Sequence, residues 1–270
     1  MMLETAGRST PARNAVPQFP REIAPGTYWF GTCLPFEANG REVHNHNSCF
    51  LVCGDRASML VDTGLPFQWK ELKEQLLAVL NGRLLDYVFA THPEAPHMGN
   101  TAQLLALFPD AQLIGDLRNY KLYFPKLTHR FSPRMPGDVI DLGGRTLTIV
   151  PAVVHDLRNT LWAYELPHRI LFVSDGYPYT HQHEAGQCAL TSEELPAPPL
   201  PEDTGPVIEG ALGWTRHVPA ELVIRDIEAL LERYPPALIA PAHGGVVTNP
   251  VAMTEVFKAG LRRVSGAPMP

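Results

Sequence analysis

The 270-residue sequence contains no run approaching the roughly 18 consecutive apolar residues of a membrane span. Its N-terminus carries Glu4 and lacks the apolar stretch of a secretory signal, so the cytoplasm is the expected compartment. Cationic excess is absent as well. A formal net charge of −6 suits no phosphate-binding surface, so neither nucleic acid nor a membrane is an expected partner. The four cysteines (Cys33, Cys49, Cys53, Cys188) form no CxxC pair and read as small buried hydrophobes in a reducing compartment. Cys49 and Cys53 fall on one face of a strand. Neither an internal repeat nor a convincing linker divides the chain.

Proline, by contrast, is abundant. The 27 prolines are roughly twice the usual share and imply many stiff turns. Residues 1–20 read as a disordered leader. Residues 21–265 read as one domain, interrupted at about 176–218 by a Pro-rich lid or binding loop.

Strands are expected at 26–31, 47–53 and 57–62, the last two forming a hairpin through Gly54-Asp55. Trp69, Leu72, Leu76, Leu77 and Leu80 recur at helical spacing until Asn81-Gly82 ends the run. A strand at 85–89, a helix at 101–108 and a strand at 111–115 follow. Hairpins are expected at 139–150 and 162–175. A helix over 219–234 buries Leu222, Ile227, Leu230 and Leu231. A strand at 237–241 and a helix at 254–264 end the pattern. This order predicts an α/β chain with helices packed outside its strands.

The polar residues with chemical potential sit where apolar strands end. Ala90-Thr91-His92-Pro93-Glu94-Ala95-Pro96-His97 places two imidazoles and a carboxylate on a proline-stiffened turn. His155, Asp175 and His243 each follow another strand. A turn, a cap or a loop explains any one of these, but their repeated context points to donors converging on a metal.

The series Val61-Asp62-Thr63, His92-Pro93-Glu94-Ala95-Pro96-His97, Val150-Pro151-Ala152 leading to His155, Val173-Ser174-Asp175 and Pro241-Ala242-His243-Gly244 resembles the metallo-β-lactamase fold superfamily. Within it, Glu94 makes the diiron domain of flavodiiron proteins the nearest likeness. The resemblance implies an αββα sandwich of two mixed sheets flanked by helices, with two metal ions at its edge. It implies that His92, Glu94 and His155 hold one ion, that His97 and His243 hold the other, and that Asp175 bridges them. Iron is the expected metal, with zinc or manganese as alternatives. A histidine–carboxylate donor set suits such ions, and the added anionic ligand favours higher oxidation states.

One position departs from the family pattern. Pro96 stands where the family carries an Asp ligand, so the second ion is expected to be weakly held or missing. The expected function is binding or reduction of a small diatomic such as oxygen or nitric oxide. The family's electron-supplying flavodoxin-like domain is not seen, so a separate electron-donor protein is the expected partner, along with a homo-oligomer. The alternatives are a hydrolase of an ester, thioester or lactone, and a non-catalytic metal-binding sensor. Asp62 is expected to support a ligand by hydrogen bonding. His181 and His183 read as solvated loop or as lining the active-site mouth; with Glu184 they are the candidates for a replacement ligand. His44 and His46 read as one face of a strand end near the pocket. Tyr177 and Tyr179 pack under the lid or line the pocket. Glu221, Glu228 and Glu232 read as a solvated helix face.

Overall fold

The structure is a computed structural model that describes residues 16–38 and 40–265. Most of the expected leader lies outside these residues. Within its described part, the Phe19 ring packs edge-on against Trp29 at 4.9 Å.

In chain order the strands and helices are β1 (Arg21–Ala24), β2 (Thr27–Ala38), β3 (Arg41–Cys53), β4 (Ser58–Val61), α1 (Trp69–Leu80), β5 (Tyr87–Phe89), α2 (Ala95–Met98), α3 (Thr101–Leu107), β6 (Gln112–Gly115), α4 (Tyr120–Tyr123) and β7 (Phe131–Pro133). The second half contains β8 (Val139–Asp141), β9 (Thr146–Pro151), β10 (Leu161–Glu165), β11 (Ile170–Phe172), α5 (Pro201–Ala211), α6 (Ala220–Arg233), β12 (Leu238–Ala240) and α7 (Pro250–Ser265). Strands β1 to β7 form one sheet in sequence order, and a second sheet runs β12-β11-β10-β9-β8. Both sheets are mixed. In the first, β1 to β4 pair antiparallel while β4 to β7 pair parallel. In the second, only β11 and β12 are parallel.

The two-residue period of a strand explains the layers. On β3, Phe50 and Val52 face the other sheet, whereas Cys49 and Leu51 face outward. On β10, Leu161 and Ala163 point inward, and Trp162 and Tyr164 point away. The inward sets close a dry core between the sheets, with Trp29, Phe89 and Phe172 among its largest members. Outward residues of the first sheet are covered by Leu72, Leu76 and Leu80 of α1 and by Leu104 and Leu105 of α3. Those of the second sheet are covered by Ile208 of α5, Ile224 and Ile227 of α6, and Phe257 of α7. The architecture is therefore the expected αββα sandwich.

Several local expectations need correction. Residues 176–218 are not irregular throughout, because α5 occupies their second half. Pro201 opens that helix, and the Asp203 carboxylate accepts the Leu200 N–H at 2.8 Å, satisfying a free donor of the first turn. Burial of Val207 and Ile208 then outweighs the poor helix propensity of Gly205, Pro206 and Gly210. Leu222, expected on the buried side of α6, is exposed because Val223 and Ile224 take that face. On the outer edge of α6, Glu221 pairs with Arg262 and Glu228 with Lys258, both on α7. Strands β2 and β3 also run well beyond the expected spans, and they pair along their whole length.

Candidate metal centre

Four polar turns meet at one edge of the sandwich. The turn after β4 presents Asp62, and that after β5 presents Thr91, His92 and, through α2, His97. Those after β11 and β12 present Ser174 with Asp175, and His243. Main-chain bonds knit the turns together: the Asp62 N–H donates to Phe89 at 2.8 Å, Thr63 to His97 at 2.9 Å, and Ala242 to Ser174 at 2.8 Å. Asp62 and Ser174 both adopt left-handed backbone conformations, with φ of 58° and 51°. Such conformations cost side-chain-bearing residues roughly 1–3 kcal/mol and persist where surrounding contacts enforce them.

Asp175 lies at the middle of the group. Its Oδ1 is 3.1 Å from His97 Nε2 and 3.2 Å from His243 Nε2, and its Oδ2 is 3.5 Å from His92 Nε2. One carboxylate thus faces three imidazoles. The ligand atoms of His92, His97 and Asp175 lie within 4.8 Å of one another, as do those of His92, Glu94 and Asp156. Donors bound at about 2.0–2.2 Å to one cation stand roughly 3.3–3.6 Å apart; the His92–Asp175 separation is within that range and those of His97 and His243 fall just short of it. The fit is also visible in what is unsatisfied: His92 Nε2 and Asp175 Oδ2 are buried without a hydrogen-bond partner. A cation satisfies both lone pairs.

The buried partners set which ring nitrogens are free. Asp62 Oδ1 accepts the Thr91 N–H and hydroxyl, each at 2.9 Å, while Oδ2 stands 2.9 Å from His97 Nδ1. Thr91 Oγ1 lies 2.8 Å from Ser174 Oγ, which lies 3.0 Å from His92 Nδ1. With Asp62 as the acceptor at the end, the run has one consistent polarity. The His92 Nδ1–H donates to Ser174, Ser174 to Thr91, and Thr91 to Asp62. His97 donates its Nδ1–H to Asp62 directly. Both rings are thus held through Nδ1 with Nε2 directed at Asp175; the His97 Nε2–H donates to that carboxylate at 3.1 Å, a proton that a bound ion would displace. His243 is steered similarly, its Nδ1 lying 3.3 Å from the His46 carbonyl.

Charge is distributed unevenly over the group. Burial holds the His92 pKa down to about 2, reinforced by His97, His243 and His155 and opposed by Asp175. Burial also disfavours charge on His97, but Asp62 and Asp175 outweigh it and raise its pKa well above the ordinary value. Burial would raise Asp175, yet His97, His243 and His92 bring it well below the usual carboxylate range. Asp156 is pushed up to about 7 by burial and then by the nearby charges of Asp175 and Glu94.

His92, His97, Asp175 and His243 converge as the sequence implies, and Glu94 sits at the outer side with half its side chain exposed. His155 is near enough to oppose charge on His92; its Nδ1 lies 3.2 Å from the Ala152 carbonyl and its ring 6.0 Å from that of Trp214. Its neighbour Asp156 brings Oδ1 to 3.6 Å from His92 Nε2. Asp62 stands where a supporting residue was expected. Pro96 occupies the first turn of α2, adjoining His97 and offering no donor. Tyr177 and Tyr179 are buried, and their hydroxyls bond to Thr254 Oγ1 and to the Gly245 carbonyl, each at 3.0 Å. His181 and His183 belong to another group, with His44, His46 and Cys33. Sequence reasoning missed Asp156, Thr91 and Ser174. Each adjoins a residue that it did select, and that adjacency was the available signal.

An αββα sandwich with a buried histidine–carboxylate cluster at its strand ends defines the class. Residues 44–243 match the model of the metallo-beta-lactamase superfamily, and the chain belongs to that superfamily. A coenzyme F₄₂₀H₂ oxidase of Methanothermobacter marburgensis is 26% identical over 258 residues, covering 88% of this chain and 60% of that protein. A nitric oxide reductase of Moorella thermoacetica is 23% identical over 167 residues, covering 58% and 42%. The flavodiiron protein from Giardia intestinalis superposes with a TM-score of 0.69 at 17% identity, over 92% of this chain and 60% of that one. At that identity the likeness is one of fold. The chain spans about 60% of the length of the oxidase. Among the described residues, no helix is long and apolar enough to cross a membrane.

Proposed function

We propose that the chain holds iron at this centre and uses it to bind and reduce a small diatomic, oxygen or nitric oxide. The observation that carries the reading is the Asp175 carboxylate set among His92, His97 and His243, with unsatisfied atoms facing one another. In the proposed assignment, His92, Glu94 and Asp156 hold one ion, His97 and His243 hold the other, and Asp175 serves both. Bound iron would bind the diatomic and pass to it electrons delivered by an external reductant.

The chain's own residues supply orientation and enclosure. Asp62 fixes His97 directly and His92 through Thr91 and Ser174, so the donors need little reordering to receive an ion. His92 and His97 are sealed from solvent, and Asp175 is nearly so. Glu94, Asp156 and His243 keep some exposure, so the group meets solvent on their side. Asp156 adds a carboxylate on the His92 side, while Pro96 removes one beside His97. The second ion is therefore the more weakly held.

The test is metal analysis of anaerobically purified, iron-loaded protein, followed by oxygen and nitric oxide consumption with a chemical reductant. Bound iron with consumption of either gas, lost in His97→Ala, supports the reading. Zinc alone together with turnover of an ester or lactone overturns it in favour of hydrolysis.

A further inference from the structure

A second group of donors lies outside the centre and takes no part in the function proposed above. The β2–β3 hairpin places Cys33 opposite His46, and His44 lies two residues earlier on the same strand face. The segment after β11 then adds itself to the hairpin. The His44 N–H donates to the His181 carbonyl at 2.8 Å, and the His181 N–H donates to that of His44 at 3.0 Å. His183 follows two residues on. Four imidazoles and a thiol are thereby gathered on one side of the added strand.

The spacings are those of a metal site. Cys33 Sγ lies 3.2 Å from His183 Nε2 and 3.6 Å from His181 Nε2. A tetrahedral zinc ion, with bonds of about 2.3 Å to sulfur and 2.0–2.1 Å to nitrogen, has sulfur–nitrogen edges of roughly 3.5 Å. The ligand atoms of Cys33, His44 and His183 also lie within 4.8 Å of one another. His183 already has the required tautomer, because its Nδ1–H donates to the Glu184 carbonyl at 2.8 Å and leaves Nε2 toward Cys33.

Packing alone leaves this group unsatisfied. The Nδ1 atoms of His44, His46 and His181 are buried without partners. His46 is 1% exposed and His181 6% exposed. The His46 Nε2–H donates to the Cys188 carbonyl at 2.6 Å, so its unpartnered Nδ1 carries the lone pair. Whichever tautomer His44 and His181 adopt, each of the three rings leaves a buried nitrogen without a protein partner, and among the ligand-bearing residues of this group there is no carboxylate.

We propose that Cys33, His44, His181 and His183 hold one zinc ion, pinning the segment after β11 to the β2–β3 hairpin. Thiolate and imidazole are the donors that zinc takes in closed four-coordinate sites. Binding releases the Cys33 thiol proton to solvent, and no electrons move. The competing state is a disulfide with Cys188, whose thiol lies close enough to couple to that of Cys33; both cysteines are free here.

Cobalt(II) is the probe, because sulfur-to-cobalt charge-transfer absorption reports thiolate ligation, and the centre at Asp175 contains no cysteine. Titration of reduced full-length protein is expected to give this band at one equivalent, with zinc displacing it. The band should persist in His97→Ala, vanish in Cys33→Ser, and require at least about tenfold more cobalt in His183→Ala, with circular dichroism unchanged. Absence of the band from wild-type protein, or its survival in Cys33→Ser, overturns the site. So does a thiol count showing Cys33 and Cys188 oxidised to each other after reduction and desalting. Failure of iron loading at the first centre leaves the cobalt–thiolate result intact, so the two readings fall separately.

Discussion

His243 Nδ1 rests 3.3 Å from the main-chain carbonyl of His46, while the His46 ring belongs to the other donor group. One residue of β3 therefore touches both sites, the first through its backbone and the second through its side chain. The two contacts separate by mutation. His46→Ala keeps the carbonyl and should change metal affinity at the Asp175 centre by no more than about twofold. Asp62→Asn removes a carboxylate that orients two imidazoles, and a loss of about 10–100-fold is expected. Iron binding measured by competition with a chelator distinguishes the two.

Pro96→Asp restores a donor beside His97. The exchange falls in the first turn of α2, where an acidic residue is favourable to the helix dipole. The expected result is a second iron equivalent held at least about tenfold more tightly, read from metal-to-protein ratios across a chelator series. Unchanged stoichiometry would show that another group already completes that position.

His155 and Asp156 are adjacent, and the proposed assignment places only Asp156 on the first ion. Asp156→Ala should lower affinity for the first ion by about 10–100-fold, and His155→Ala by clearly less, because the assignment rests on the Asp156 oxygen 3.6 Å from His92 Nε2. Equal losses, or a larger one in His155→Ala, would reverse the assignment. The same chelator titration settles it.

The turns that carry His92, His97, Asp175 and His243 were readable because each follows a short apolar strand with a polar end. The sandwich was readable for a related reason, since its strands alternate between two buried faces. The approach of Asp156 to His92 was not readable, because contacts from afar orient its loop. The Trp214 Nε1–H takes the His155 carbonyl at 2.5 Å across 59 positions. The Cys33–His183 group was hidden for the same reason, since His44 meets His181 only when a distant segment pairs with β3. Helix α5 was obscured by its glycines and proline, whose unfavourable local preference is overridden by burial. Ser174 carried no signal of its own in the sequence; its left-handed backbone places its hydroxyl between Thr91 and His92.

Arg21 clasps Glu194 with two hydrogen bonds, of 2.5 and 2.9 Å, joining β1 to the segment before α5. Those bonds, helped by Thr191 and opposed by burial, bring Glu194 from 4.5 to about 2. A depressed carboxylate stabilises the fold above its unfolded pKa and loses that contribution as the pH falls through its folded one. The pair is partly solvated, so Arg21→Gln should cost only about 0.5 kcal/mol near neutrality. The difference from wild type should shrink as pH drops from 4.5 toward 2, as measured by urea unfolding at a series of pH values. A gap that widens on acidification would contradict the assignment.

The parallel pairing of β12 with β11 has a consequence for biosynthesis. His243 arrives on the last strand of the second sheet, about 150 residues after His92 in a chain that emerges from the ribosome in order. Until β12 has docked, Asp175 has lost one of its three imidazoles and the second sheet lacks its edge. A nascent chain can therefore assemble the β2–β3 hairpin and the His92 turn early, yet it completes the Asp175 cluster only when the sandwich is nearly finished. Metal capture by the full donor set is thus a signal that synthesis and folding have both reached the far edge of the domain.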